Sequence, residues 1–150
     1  MSEDRYTYIL VEHEPYWKKR VEQHTKGVST QAFVRRGKVG PKDTKTLLFY
    51  VKFPVGEVKG HGEFLERISG APNELWSKYG SETVFDSKED YDKFVDGRDK
   101  ITLIRFRSLQ ELDSPLPWKE LAATLGIKKM PNGGRFINRE TLTALLKKEL

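Results

Sequence analysis

The sequence predicts a single α+β domain in which a mixed, barrel-like β-sheet is flanked by helices. Its 150 residues are a typical length for one domain with its own hydrophobic core. Short strand-like segments are interleaved with helical ones, and glycines and prolines bend the chain between them. The central strand-like segments follow one another without an intervening helix, which argues against repeated βαβ units.

The chain opens with a strand pattern followed by a helix pattern. Residues 6–12 alternate and are rich in β-branched and aromatic side chains, which predicts a strand. Pro15 suits the first position of a helix over residues 16–25, in which Trp17 and Val21 lie one turn apart and face the core. Three basic residues are expected on the other faces of this helix: Lys18, Lys19 and Arg20.

Three further strands are predicted in the first half of the chain. Residues 30–36 form the first of them, and a basic loop containing glycine and proline follows. Residues 46–52 carry apolar side chains on both faces, so this strand is expected to be central and buried. Residues 57–68 predict a strand bent at Gly60 and Gly62. A short helix over the second half of that segment is the competing interpretation.

The second half of the chain predicts four helices and two strands. The helices are expected over residues 71–79, between the cap Ser87 and Gly97, over residues 118–125, and over residues 139–149. The strands are expected over residues 101–107 and 135–137, and the sequence LDSPLP is expected to break the chain after the first of these. Residues 118–150 are predicted to be a C-terminal helical extension packed on the barrel of a single domain, residues 1–150.

Charge favours an acidic partner. Lysine and arginine number 27 against 22 aspartate and glutamate residues, which gives a formal net charge of +5. Nucleic acid is the first candidate for such a partner, and an ordinary basic surface is the alternative.

Several classes of function are excluded by what the sequence lacks. There is no cysteine, so disulfides, thiolate metal sites and cysteine nucleophiles are excluded. No apolar run approaches the length of a membrane span, and the N-terminal residues do not form a signal peptide. No glycine-rich phosphate loop follows a strand. We therefore expect a cytoplasmic protein without a membrane partner.

The order of the predicted elements resembles that of a known superfamily. A strand, a helix and a basic strand precede PKDTKTLLFYVK, and a glycine-bent strand, GHGEFLERI, comes next. This order is similar to the core of PUA-like domains, including the ASCH and EVE branches. In those families a glycine–aspartate loop introduces a strand like residues 47–50, and a following strand often has the pattern glycine-x-x-glutamate. Here Asp43 matches the loop, although lysine rather than glycine precedes it, and Gly60, Gly62 and Glu63 match the following strand.

The resemblance covers roughly residues 6–125, and the later segments from ELWSKYG to ITLIRFRSLQEL resemble an uncharacterised archaeal branch of the same superfamily. It implies a PUA-like mixed β pseudo-barrel with flanking helices that binds RNA or a modified nucleobase. Fold alone does not fix function, so the site residues must be argued separately.

Basic residues form the first candidate site. Phosphates are bound by such charges, because each neutralised phosphate releases a counterion. A solvated, charged surface is the alternative. The residues are Lys18, Lys19 and Arg20 on the first helix, followed by Arg35, Arg36, Lys38, Lys42 and Lys45 in and after the second strand.

One face of the second strand is the next candidate. A period of two places Gln31, Phe33 and Arg35 on the same face. An amide, an aromatic face and a guanidinium together can read an unstacked base and its phosphate. The alternative is that Phe33 belongs to the core and Gln31 to a strand edge.

A catalytic site is a further hypothesis. The segment TKGVST resembles the lysine–x–x–threonine pattern of small ASCH-type amidohydrolases that act on acetylated cytidine. The resemblance assigns Lys26 to the lysine and Ser29 to the hydroxyl residue, while Glu63 or Glu74 would supply the glutamate. A lysine with a lowered pKa could activate a hydroxyl nucleophile. A helix-ending lysine beside a serine in a turn is the ordinary interpretation.

Two remaining features receive simpler interpretations. The histidines, His13, His24 and His61, are scattered and match no zinc spacing, so neither a metal nor a cofactor is expected. The two C-terminal helices could mimic a DNA-binding helix-turn-helix. The connection between them, from Gly126 to Asn138, is long for that motif, so packing on the barrel is the favoured interpretation.

Overall fold

The structure is a computed structural model that describes residues 3–37, 40–148 and 150. The strands are β1 (Thr7–Glu12), β2 (Thr30–Arg35), β3 (Thr46–Val51), β4 (Glu57–Gly70), β5 (Ile101–Pro117) and β6 (Arg135–Ile137). The helices are α1 (Glu14–Thr25), α2 (Pro72–Tyr79), α3 (Lys88–Val95), α4 (Trp118–Leu125) and α5 (Arg139–Leu146).

All six strands form one mixed sheet in the order β2-β5-β4-β3-β1-β6. The pair β1 and β3 is parallel, and the other neighbours are antiparallel. Within the described residues no strand pairing joins the two outer strands, β2 and β6, so the sheet is not a closed barrel. The α+β class with flanking helices is confirmed.

Both faces of the sheet are covered. Neighbouring side chains of each strand point to opposite faces, so a strand covered on both sides buries all of its residues. In β3 every residue is buried, which confirms the sequence prediction. Alternate side chains of β1 enter different clusters: Tyr8 and Leu10 join one with Trp17 and Phe49, while Ile9 joins another.

The C-terminal segment contributes to this arrangement in two ways. Its strand β6 pairs with β1, so it extends the sheet. Leu121 of α4 and Leu142 of α5 are buried in the same cluster as Ile9 and Leu48. The apolar faces of these helices therefore point into the protein, and a sheet strand separates the two helices that could have mimicked a helix-turn-helix.

The largest difference from the sequence prediction is the length of β5, which continues through LDSPLP to Pro117. The predicted break is instead a shift in register within the strand, because β4 pairs with β5 at Glu111 and next at Leu116, while β2 pairs with β5 only up to Arg107. Beyond that point β5 has one neighbour, β4, and proline is tolerated on a strand edge where no N–H bond is needed.

Two other sequence interpretations need correction. The segment after Gly62 continues as strand β4, so the competing helix is wrong. The final helix ends at Leu146 rather than at residue 149, which lies outside the described residues. Among the helices that the structure describes, none has the length and apolar character needed to cross a bilayer.

Candidate functional site

A cavity opens at the seam where the sheet fails to close. Strand β6 pairs only with Thr7–Ile9, so the last part of β1 has no strand on that side. Strand β2 is the outer strand at the other end of the sheet. Between them lies a cavity of about 190 Å³, which we call the seam cavity, lined by the ends of β1 and β2, by α1, and by residues just before and within α3.

A buried ion pair lines this cavity. The Arg20 guanidinium donates to both carboxylate oxygens of Glu12: Nη2 lies 2.7 Å from Oε1, and Nε lies 3.1 Å from Oε2. Both side chains are almost fully buried, with 2% and 1% of their surface exposed. Removing two charges from water is costly unless their geometry is good and the remaining donors find partners.

Those remaining donors are satisfied around Arg20. Its Nη1 donates to the side-chain oxygen of Gln31 at 3.3 Å and to the carbonyl of Ala32 at 3.5 Å. The Gln31 amide in turn donates to the carbonyl of Arg20 at 2.9 Å. The guanidinium also lies over the rings of Phe33 and Phe106, 5.5 and 5.3 Å from their centres. The pair is therefore a fixed, polar part of the cavity wall.

Arg35 is the half-buried cation of this wall beside the Arg20 pair. It lies over the Phe33 ring, 5.7 Å from its centre. Within the described part of the chain it forms no ion pair with a carboxylate. Burial lowers the pKa of Arg35, with the Tyr8 hydroxyl acting in the opposite direction. A guanidinium so placed can bind a phosphate or a polar base edge.

The opposite rim of the seam cavity is aromatic. The Tyr16 ring meets the Phe85 ring edge-on at 5.7 Å, and Phe85 packs on Phe94 at 5.2 Å. Arg36 lies over Phe94 at 4.6 Å and donates to its carbonyl at 2.6 Å. These contacts hold the rings in place, so the rim is pre-formed.

The size of the cavity limits its ligand. Its volume of about 190 Å³ lies below the roughly 300–1,000 Å³ typical of pockets for drug-sized ligands. That is room for one small ring system and its polar substituents. Apolar walls with a few fixed polar groups are the usual composition of a small-molecule site.

Comparisons with known proteins give a fold. Neither a family model nor a curated protein matches this sequence. The structure is similar to a crystal structure of the ASCH protein from Zymomonas mobilis, with a TM-score of 0.80, 23% identity and coverage of 96% of each chain. This chain has the ASCH fold.

Two variants of the same protein match in the same way. A tyrosine-to-phenylalanine variant has a TM-score of 0.80 and 22% identity, covering 95% of this chain and 98% of the other. A serine-to-alanine variant has a TM-score of 0.76 and 23% identity over 96% of each chain. The expected PUA-like, ASCH-type fold is therefore confirmed, whereas nothing in these comparisons supports the archaeal branch.

Within this ASCH fold the predicted strand face lies at the seam cavity. Phe33 and Arg35 line it, and Gln31 contacts Arg20 behind the wall. Phe33 is also part of the main core cluster, so the structural and the functional interpretations of this ring are compatible. The Gln31 amide is committed to Arg20 through both of its polar atoms.

The predicted basic residues do not form one surface around the cavity. Arg35 and Arg36 line it, whereas Lys18 pairs with Glu14 at 3.9 Å and Lys19 with Asp86 at 2.7 Å. The hydrogen bond to Asp86 raises the pKa of Lys19. The loop lysines, Lys42 and Lys45, are exposed and do not line the cavity, and Lys38 lies outside the described residues.

The sequence indicated Arg20 as one of the basic residues on the outer faces of α1, and its burial was not expected. It is buried because α1 presents it to the sheet interior three residues after Trp17, on the same side of the helix. The signal was that spacing, together with the polar residue Glu12 at the end of an otherwise apolar strand.

The proposed catalytic residues lie at the start of β2, away from the seam cavity. Lys26 is 70% exposed and pairs with Glu22 at 2.7 Å. That pair raises the pKa of Lys26, so the lowered pKa required for activating a hydroxyl is not found. Ser29 directly precedes β2 and is exposed.

The glutamates differ in their surroundings. Glu63 pairs with Arg107 at 3.2 Å, which lowers the pKa of Glu63. Arg107 of β5 pairs with Thr30 of β2 on one side and with Glu63 of β4 on the other. The first residue of β2 and this glutamate therefore lie on opposite sides of the same β5 residue. Glu74 is exposed in the first turn of α2.

Metal ligands are not gathered in the described part of the chain, where no group of three or more His, Asp or Glu side chains could hold an ion. His13 lines the seam cavity, His24 lies in the last turn of α1, and His61 is buried in β4. Burial and the charge of Lys52 lower the pKa of His13, while Glu12 raises it.

Proposed function

We propose that the chain binds RNA or a nucleoside with a modified base, and that the seam cavity takes one base. The observation that carries the proposal is Arg35, a half-buried cation without a carboxylate partner among the described residues, on the wall of a cavity with room for one ring. The ASCH fold is compatible with this function but does not establish it.

Each part of the wall has a role in this binding. The aromatic rim of Tyr16, Phe85 and Phe94 offers faces and edges against which a flat base can pack. The Glu12 carboxylate oxygens can accept further hydrogen bonds beyond those from Arg20, so a base edge that carries N–H donors can be recognised there. Arg35 supplies the charge for a phosphate or the polar edge of the base.

The test is binding of a short, fluorescently labelled, single-stranded RNA, followed by anisotropy at low salt. Arg35→Ala should weaken binding about ten- to a hundredfold, because a hydrogen bond to a charged group contributes about 1.5–3 kcal/mol. The matched control is Arg98→Ala, which removes the same charge from an exposed turn after α3 that does not line the seam cavity.

Two results would overturn this proposal. One is the absence of binding to RNA and to a panel of free modified nucleosides at low salt. The other is an equal loss of affinity in Arg35→Ala and Arg98→Ala, because the seam cavity would then not be the site. Arg36→Ala should also weaken binding, since Arg36 fixes the Phe94 side of the rim.

The second candidate function is an ASCH-type enzyme, an amidohydrolase acting on an N4-acylated cytidine or a ribonuclease acting on RNA. Its residues would be Lys26, Ser29 and Glu63. The favouring observation is the register that aligns the start of β2 with Glu63 across Arg107. Because the pKa of Lys26 is raised, a reaction that needs its neutral amine should accelerate as the pH rises through the neutral range.

Product formation from N4-acetylcytidine and from RNA tests this candidate. Lys26→Ala should abolish the product, whereas Lys18→Ala should not, although both lysines lie in or next to α1 and pair with a glutamate one turn earlier. Activity that survives Lys26→Ala would remove this residue from the site. If neither compound is converted, the enzyme candidate is rejected.

A further inference from the structure

A second hollow lies beside the seam cavity, beyond the end of β3. This groove has a volume of about 490 Å³ and is lined by aromatic and basic side chains. We call it the aromatic–lysine groove, and its defining residues are Tyr50, Phe53, Trp118, Lys52, Lys128 and Lys129.

Its aromatic residues are a packed pair of rings and one exposed ring. Tyr50 and Trp118 pack against each other with their centres 5.7 Å apart. The backbone N–H of Trp118 donates to the carbonyl of Gly56 at 2.9 Å, which anchors the start of α4. Phe53 is 88% exposed, and no other large hydrophobic residue of the described chain is as exposed to solvent. An exposed ring above a fixed aromatic pair is a surface on which a flat ligand can stack.

The charge of the groove has one sign. Lys52, Lys128 and Lys129 line it, and no Asp or Glu is among the described residues that do so. None of the three lysines forms an ion pair within the described part of the chain. The groove is therefore complementary to an anion.

The groove and the seam cavity are neighbours. Val11 lines both of them. The backbone N–H of Lys52 donates to the carbonyl of Glu12 at 3.0 Å, and the charge of Lys52 acts on His13, a residue of the seam cavity. A chain molecule in one hollow can therefore reach the other across the end of β1.

From this juxtaposition we infer that the aromatic–lysine groove binds the nucleotides adjacent to the one in the seam cavity, so that the ligand is a single strand of nucleic acid rather than a free nucleoside. This inference rests on the proposed function. Bases stack on aromatic faces while lysines neutralise the phosphates, which is the usual composition of a single-strand site. The bases of a duplex are already stacked and cannot use the exposed ring.

The experiment compares two ligands, a labelled single-stranded oligoribonucleotide and a mononucleotide that is too short to span both hollows. Phe53→Ala should weaken oligonucleotide binding about 5- to 150-fold, the range measured for loss of one stacked base. Binding of the mononucleotide should be unchanged. Phe53→Tyr should restore the affinity, because it keeps the aromatic face.

The lysines are tested through the salt dependence. The double variant Lys128→Ala/Lys129→Ala should reduce the slope of log affinity against log salt by about 1.4, at roughly 0.7 for each single-strand phosphate released from contact. The control, Lys78→Ala, removes an exposed lysine of α2 that does not line the groove and should leave the affinity and the slope nearly unchanged.

The outcomes separate the two proposals. If Arg35→Ala weakens oligonucleotide binding and Phe53→Ala does not, the groove inference is overturned while the proposed function stands. If a polyglutamate peptide competes as strongly as the oligonucleotide, the groove binds anions without stacking bases, and the inference is also overturned. Absence of any nucleic-acid or nucleoside binding overturns both.

Discussion

A single charged side chain, Arg20, shapes the seam cavity from inside the sheet. Its guanidinium is held by the Glu12 carboxylate, by the Gln31 amide and by the faces of Phe33 and Phe106. An apolar residue would fill the same space without the cost of removing a charge from water. The arrangement therefore places polarity at this point, where the cavity meets the core.

The energetic consequence is a strong dependence of each partner on the other. Arg20→Met leaves the Glu12 carboxylate buried without its counter-ion, so the free energy of unfolding should fall by about 3–5 kcal/mol. Urea denaturation followed by tryptophan fluorescence measures this loss. The control is Lys19→Met on the same helix, which breaks an exposed pair with Asp86 and should cost less than about 1 kcal/mol.

The double variant Glu12→Leu/Arg20→Met tests the cause of that loss. If the cost of Arg20→Met comes from the unpaired carboxylate, removing the carboxylate as well should restore part of the stability. Losses that simply add in the double variant would show that the two side chains act independently, which would contradict the role given to the pair.

At the level of single elements, glycine and proline predicted the element boundaries and bends that depend only on neighbouring residues. Helix α4 begins after Pro117 and ends at Gly126, as expected, because this glycine adopts a left-handed conformation with φ of 67°. The bend of β4 at Gly60 was also predicted. A Cβ at that position would lie 2.5 Å from the carbonyl oxygen of Gln110 and 2.7 Å from the Trp17 ring, so only glycine fits.

Elements whose extent depends on distant partners could not be predicted in this way. The sequence of β5 contains two prolines near its end, and locally they indicate a break. The strand continues because β4 pairs with it up to Glu111 and, after a shift in register, again at Leu116 and Pro117, while β2 leaves its other edge open beyond Arg107. Such an edge position is a property of the sheet order and not of the segment itself.

The candidate site also has one part that local sequence predicts and one part that it does not. Strand alternation predicted that Phe33 and Arg35 share a face, since that depends only on the period of a β-strand. The opposite rim includes Phe85 and Phe94, at least fifty residues away in the chain, and their approach depends on how α3 packs. No local pattern encodes that contact, so the cavity itself was not predictable.

At the scale of the whole molecule, the sheet joins apolar clusters on its two faces. Tyr8 and Leu10 belong to the cluster with Phe49, and Ile9 between them belongs to the cluster with Leu142 of α5. Loss of packing on one face therefore disturbs strands that also form the other. This coupling is the physical argument for a single cooperative domain that includes residues 118–150.

Leu142→Ala tests whether α5 belongs to that cooperative unit. Leu142 is 1% exposed, so its truncation should lower the free energy of unfolding of the whole chain by about 2–5 kcal/mol. Circular dichroism and tryptophan fluorescence should still give one coincident transition, shifted to lower denaturant. Thr124→Ala, at an exposed position of α4, should change the stability by no more than about 0.5 kcal/mol. If an early transition of small amplitude separates from an unshifted main one, the C-terminal segment is an independent unit and the single-domain interpretation is wrong.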